Sequence, residues 1–169
     1  MDAASLRTLY AYNRWANHQL LDRARQLSTF VLNIPIGPGP ATIGSTLVHI
    51  LGAEWVWRMR VHERQSPTFL LAESSFEDLH AMARRWAAEE TAMRAFLATL
   101  DHDRLQEIVA YQTAQGSPRQ NRLWHILVHL VNHGTQHRAE VAFALTSLGH
   151  SPGDLDFIYY LRQQEKGGP

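Results

Sequence analysis

Hydrophobic residues recur along most of this chain at the three- and four-residue intervals that place them on one side of a helix. Four long segments show this spacing, and they run from about 3 to 27, 42 to 63, 75 to 100 and 121 to 148. The stretch "NIPIGPGP" at 33–40 holds three prolines and two glycines, which exclude a helix there. No segment shows the sustained alternation of apolar and polar residues that is typical of strands. The pattern predicts an all-α fold, a four-helix bundle in one domain spanning residues 1–169.

Local signals predict where the helices begin and end. A serine at 74 or 75, followed by an acidic residue at 77 or 78, resembles a cap that starts the third helix near Ser75. Gly149, with Pro152 just beyond, should end the fourth helix. Asp154 is predicted to cap a short C-terminal helix, "LDFIYYLRQQ". The polar connection at 101–118 contains Gly116, and the sequence does not settle its conformation.

The fourth helix is apolar on two faces. One face carries Trp124, Leu127, Val128, Val131 and Ala142, and a second carries Ile126, Leu130 and Ala144. A helix that is apolar nearly all round must be covered nearly all round. Either a second subunit or the C-terminal tail would cover the second face, so a homodimer and a packed tail are equally favoured.

Composition removes several classes of function. Hydrophobic residues make up 45% and charged residues 19%, which indicates a folded domain. Sixteen basic and sixteen acidic side chains cancel, and without a basic excess we expect no nucleic-acid partner. There is no cysteine, which excludes disulfides, thiolate metal ligands and a cysteine nucleophile.

The N-terminal stretch argues against secretion. Arg7, Asn13 and Arg14 interrupt its apolar residues, so it does not resemble a signal peptide. No run of about eighteen apolar residues is present to span a bilayer. We therefore expect no membrane association and a cytoplasmic location.

A ladder of histidines marks the candidate chemistry. The stretch "LWHILVHLVNHGTQHRAEVA" places His125, His129, His133 and His137 four residues apart, on one helical face. Two neighbouring histidines of the ladder can bind one metal ion. All four cannot, because the ladder spans about 18 Å along the helix axis. The spacing leaves three pairs open: His125 with His129, His129 with His133, and His133 with His137.

A third ligand must come from another helix, and His49 in "IGSTLVHILGAEWVW" is the best candidate by its apolar context. Three neutral imidazoles suit zinc, nickel, iron and copper, and they leave a coordination position open. Other metal motifs fail. The stretch "HERQS" at 62–66 lacks the second histidine of an HExxH motif, and a di-iron bundle needs more than the single pair of Glu77 and His80.

Four segments together resemble the DinB/YfiT-like family, in the same order and over nearly the whole chain: "YNRWANHQLL", "TLVHILGAEWVW", "LVNHGTQHRAEVA" and "GDLDFIYYLR". The resemblance implies a four-helix bundle with an unusual connection order, commonly dimeric. It also implies that His49, His133 and His137 are the metal ligands. Where the family often has HRGQ, this chain has an alanine and Glu140, which would either orient the imidazole of His137 or form a surface ion pair.

The family includes thiol-dependent S-transferases and isomerases, in which a metal presents a low-molecular-weight thiol as thiolate. The resemblance therefore implies a metal-dependent enzyme for a small-molecule substrate, with zinc, nickel or iron as the ion and a cellular thiol as cosubstrate. Two rivals stay open: a hydrolase that uses metal-bound hydroxide, and a non-catalytic protein that binds a metal or small ligand.

Three further residues are candidates for catalysis. Glu54 and Glu90 lie on apolar stripes, where a carboxylate is costly to bury, so each is either a general base or a partner for a neighbouring helix. His129, one turn before His133, is a candidate to line the pocket or to bind a ligand.

Overall fold

Four long helices dominate the computed structural model, which describes residues 1–37 and 39–166. The helices are α1 (Ala3–Ala24), α2 (Thr29–Leu32), α3 (Ile43–Val61), α4 (Leu79–Ala98), α5 (His102–Gln106), α6 (Leu123–Ser147) and α7 (Phe157–Lys166). A small antiparallel hairpin, β1 (Ile108–Gln112) with β2 (Pro118–Arg122), lies between α5 and α6. The all-α fold predicted from the sequence is confirmed, with this hairpin as an addition.

Capping side chains set the helix ends. The hydroxyl of Thr42 accepts a hydrogen bond from the backbone N–H of Ser45, and the hydroxyl of Ser45 accepts one from the backbone N–H of Thr42, which closes a capping box at the start of α3. The prediction that α4 starts near Ser75 is wrong. Ser75 belongs to a short 3₁₀ turn, and Asp78 caps α4 instead. At the end of α6, Gly149 has a positive φ of 81°, as the predicted stop requires.

The C-terminal helix begins slightly later than predicted. The carboxylate of Asp154 accepts a hydrogen bond from the backbone N–H of Asp156, and the helix starts at Phe157. Asp154 therefore shapes the turn that precedes α7 and does not cap the helix itself.

The long helices are not arranged in chain order around the bundle. Both α1 and α3 pack against α4 and also against α6. This places α1 diagonally opposite α3, although the two are consecutive long helices in the chain. The connection order is thus unlike that of a simple up-and-down bundle.

The second apolar face of α6 is covered from within the chain. Ile126, Leu130 and Ala144 are all buried in the core, where α6 meets α1 and α3. The tail covers a different surface, since α7 packs on α1. There Tyr12 contacts Phe157 and Tyr160, with ring centroids 5.2 and 5.9 Å apart. Neither of the two covers considered for this face, a second subunit or the tail, is therefore needed to bury these three residues.

The hairpin fills the connection whose conformation the sequence left unsettled. Val109 of β1 is fully buried, and Gly116 turns the chain with a φ of 78°. Strand β2 is exposed at every residue and has no apolar alternation, so no pattern marks it as a strand. Across the described ranges, none of the helices has the apolar length that a bilayer-spanning segment needs.

Candidate metal centre

Three histidines from two helices converge at one point. His49 comes from α3, and His133 and His137 come from neighbouring turns of α6. Each offers a ring nitrogen, and these nitrogens all lie within 4.8 Å of one another. The Nε2 atoms of His49 and His133 are 3.1 Å apart, and the ring of His137 is centred 4.6 Å from each of the other two.

The spacing fits a single transition-metal ion. Zinc–nitrogen bonds of about 2.0–2.1 Å in tetrahedral geometry hold two ligand nitrogens roughly 3.3 Å apart. The 3.1 Å between Nε2 of His49 and Nε2 of His133 is close to that separation. The donor set is all imidazole, which suits zinc, nickel, iron or copper better than a hard ion such as magnesium.

His49 and His133 are held neutral, as metal ligands must be. Burial, followed by the neighbouring His137 and His49, lowers the pKa of His133 to about 4. Burial, and then the neighbouring His137, also lowers the pKa of His49. At neutral pH both rings therefore carry a free lone pair.

The contacts behind the rings differ. Nδ1 of His137 lies 2.9 Å from Oε2 of Glu140, which leaves Nε2 of His137 free. This is the orienting contact considered for Glu140 from its position in the sequence. By contrast, the buried Nδ1 of His133 has no hydrogen-bond partner among the described residues. That ring is therefore held by packing and by the contact of its Nε2 with Nε2 of His49.

The other two rungs of the ladder lie outside the cluster. The ring of His129 is 5.8 Å from that of His133 and meets Trp57 edge to face at 5.6 Å. The ring of His125 stands against Trp124, 4.1 Å between centroids. Within residues 1–37 and 39–166, the histidines whose ligand atoms converge are His49, His133 and His137.

A cavity opens beside the cluster. Its volume is about 490 Å³, and both His49 and His133 line it. Apolar residues of α3 and of the segment 70–72 form much of the wall. This size and lining are typical of a small-molecule site.

The two acidic candidates lie elsewhere. Glu54 is buried and accepts hydrogen bonds from Nδ2 of Asn13 and Asn17 and from Nε1 of Trp86. Burial raises the pKa of Glu54, and those three hydrogen bonds oppose the rise. Glu90 lies 2.9 Å from Nε2 of His18.

Glu54 and Glu90 both border a second cavity, of about 260 Å³, on the side of α1 and α4. Neither residue lines the cavity beside the histidines. The structure therefore does not bring either acid to the cluster.

A buried arginine was missed by the sequence reasoning. Arg138 is 2% exposed, and its guanidinium donates to Oδ1 of Asn13 and Asn17. Gly134 makes room for it, since a Cβ there would lie 2.7 Å from Nη1 of Arg138. One signal was available: Arg138 lies four residues after a glycine on a helix that is apolar nearly all round.

Comparison with known proteins adds two findings. The model of the DinB family matches residues 1–168. Protein DinB of Bacillus subtilis (strain 168) is 25% identical over 157 residues, which cover 90% of this chain and 91% of that protein.

Proposed function

This chain belongs to the DinB family, and from that premise we propose that it is a metal-dependent enzyme with one divalent ion bound by His49, His133 and His137. The observation that carries the proposal is the convergence of three imidazoles from two helices at the wall of a cavity. Family membership supports the same three positions. Zinc, nickel or iron is the ion we expect.

We propose thiol-dependent S-transfer as the reaction. A divalent ion held by three neutral imidazoles keeps its full charge and an open position, and so favours the thiolate form of a thiol bound there. The chain has no cysteine, so the thiol is a separate small molecule. Its sulfur would form a bond to an electrophilic carbon of the substrate, while the leaving group departs with the electron pair of the bond that breaks.

The surrounding residues have defined parts in this proposal. Glu140 holds the ring of His137 in one orientation. The apolar wall of the cavity keeps water from competing with the thiol. The thiol proton passes to solvent. His129, predicted as a candidate to line the pocket, instead lines a different one with Trp57 and His125, and it has no part in this step.

A cobalt-substituted sample tests the reaction class. Glutathione should add a sulfur-to-cobalt charge-transfer band, because thiolate ligation produces such a band and oxygen ligation does not. S-methylglutathione is the matched control and should add none. The His133→Ala protein should lose both the cobalt spectrum and the thiol response.

Two other outcomes would replace the proposal. Turnover of esters or amides without any thiol-induced band would favour a hydrolase. A well-occupied site that shows neither thiol binding nor turnover would favour a metal-binding protein without catalysis.

We also propose a homodimer. A groove between α2 and the C-terminal end of α6 is bordered by Ile34, Phe143 and Leu148, whose side chains are 43%, 73% and 45% exposed. Exposed apolar residues gathered in one place are typical of a subunit interface. A second copy packed here would leave the histidine cavity open, because the two surfaces share no residues.

A further inference from the structure

Arg60 is a buried cation at the wall of the histidine cavity. It lies on α3 and is 8% exposed. Eleven residues separate it from His49, which is close to three helical turns, so the two side chains share a face about 16 Å apart along the axis. Arg60, His49 and His133 all line the same cavity.

Two aromatic rings hold the guanidinium of Arg60. Its central carbon lies 4.6 Å from the ring centre of Trp57 and 5.1 Å from that of Tyr111, which the hairpin brings to this place. The two rings meet edge to face, with centroids 5.0 Å apart. Both contacts are between the cation and a ring, and neither is a hydrogen bond.

The charge of Arg60 has no partner in the described part of the chain. Its Nε is buried without a hydrogen bond, and no carboxylate forms an ion pair with it. Arg58, two residues earlier, differs because its guanidinium pairs with the carboxylates of both Glu89 and Glu63. A buried cation without a counter-charge is costly, and Arg60 lines the cavity, so a ligand bound there could supply the missing charge.

We propose that Arg60 binds a carboxylate of the small molecule whose other end reaches the three histidines. The inference rests on the proposed function only for the chemical group at that other end, which binds the metal. The cavity between them is walled by apolar residues, which include Ala53, Val56 and Leu71. The ligand class is therefore a carboxylate on an apolar stem, with the metal-binding group at the far end of the stem.

The charge of the cavity favours a single carboxylate over a phosphate. Among the residues that line it, Arg60 is the one arginine or lysine, and Glu73 is an acid. A phosphate dianion would need a second cation or several further donors. One planar carboxylate matches one guanidinium fork, in two parallel hydrogen bonds.

Binding of straight-chain carboxylates tests the carboxylate site without any thiol. We would titrate n-alkanoates of four to twelve carbons into the zinc-loaded protein and follow tryptophan fluorescence, since Trp57 contacts Arg60. The best alkanoate should bind about 10- to 100-fold more weakly to Arg60→Met, because a charge-assisted hydrogen bond is lost. The Arg60→Lys protein should recover part of the loss.

Two controls guard against general charge and folding effects. Arg64 is half exposed and pairs with Glu107, so Arg64→Met removes a nearby positive charge and should leave alkanoate binding unchanged. The n-alkanol of the same length should bind wild type and Arg60→Met equally. Equal alkanol binding would show that the cavity of Arg60→Met is intact, so that weaker alkanoate binding is not a folding effect.

An ω-mercaptoalkanoate of the preferred length separates this inference from the proposed function. If alkanoate binding needs Arg60 but the mercapto acid gives no cobalt–sulfur band, the carboxylate site stands and the thiol reaction fails. If the mercapto acid and the matching mercapto alcohol bind equally well and both give the band, the thiol site stands and the Arg60 inference is overturned. Failure of every alkanoate to bind would overturn it as well.

Discussion

At the scale of single residues, the candidate centre depends on side chains that stay uncharged. His133 keeps a neutral ring because it is partly buried and because two further imidazoles lie beside it. A metal ion needs the lone pair that a proton would take, so the same crowding that disfavours protonation prepares the site for an ion. Glu140 adds an acidic contact to the cluster, at Nδ1 of His137.

Glu140→Gln should weaken metal binding by about 10- to 100-fold, because the amide holds the imidazole of His137 less firmly and makes it a poorer donor. Competition with a chelator would measure the change. Glu90→Gln is a matched control, since its carboxylate contacts His18 beside the other cavity. Equal affinity in wild type and Glu140→Gln would show that the contact is a surface ion pair.

Acid should destabilise the metal-free protein through His133. The pKa of this residue is about 4 in the folded chain and about 6.5 when unfolded, so between these values the unfolded state binds more protons. The free energy of unfolding therefore falls as the pH drops from about 6.5 to 4. Urea unfolding of chelator-treated protein should show a shallower fall in His133→Asn. Identical slopes would contradict the shifted pKa.

At the scale of helices and strands, a buried polar network joins the four long helices. Arg138 on α6 binds Asn13 and Asn17 on α1, which bind Glu54 on α3, and Trp86 on α4 binds the same carboxylate. Each of these five side chains thus has a hydrogen-bond partner within the network. By way of α1, the network links α3, which carries His49, to α6, which carries His133 and His137.

Glu54→Gln should destabilise the fold by about 1–3 kcal/mol, because one carboxylate oxygen becomes an amide that donates toward groups that are themselves donors. Urea unfolding at neutral pH would measure the loss. Metal content should not change, since Glu54 does not line the histidine cavity. If Glu54→Gln were as stable as wild type but had lost turnover, Glu54 would instead have the catalytic role that was considered from the sequence.

The four long helices were predictable because each has a periodic apolar stripe, whereas the short helices α2 and α5 were not predicted. The hairpin was not, because β2 carries only exposed residues and owes its pairing to β1. The spacing of the ladder limited the metal pair to three choices, and resemblance to a family selected one of them. Arg60 was out of reach from sequence, since its isolation depends on which carboxylates approach it in three dimensions.

At the scale of the whole molecule, two surfaces remain for partners. We propose that the histidine cavity binds a small ligand and that a second copy of the chain packs in the apolar groove between α2 and α6. The expected reason for a dimer, an uncovered face of α6, does not hold. The exposed phenylalanine at 143 now provides the reason instead.

Light scattering at micromolar concentration should give twice the 19.3 kDa mass of the chain. Phe143→Asp should give a single chain, because a charge in the groove opposes its burial against a second copy. Metal content should be equal in the two proteins. A wild-type protein that is already a monomer would contradict the proposed dimer.

Metal analysis of protein purified without an affinity tag tests the central claim most directly. Wild type should contain about one divalent ion per chain, and alanine at His49, His133 or His137 should remove it. His125→Ala should keep it, because that residue lies about 12 Å along the helix from His133. Full occupancy in His133→Ala, or loss of metal from a still helical His125→Ala, would contradict the assignment of the centre.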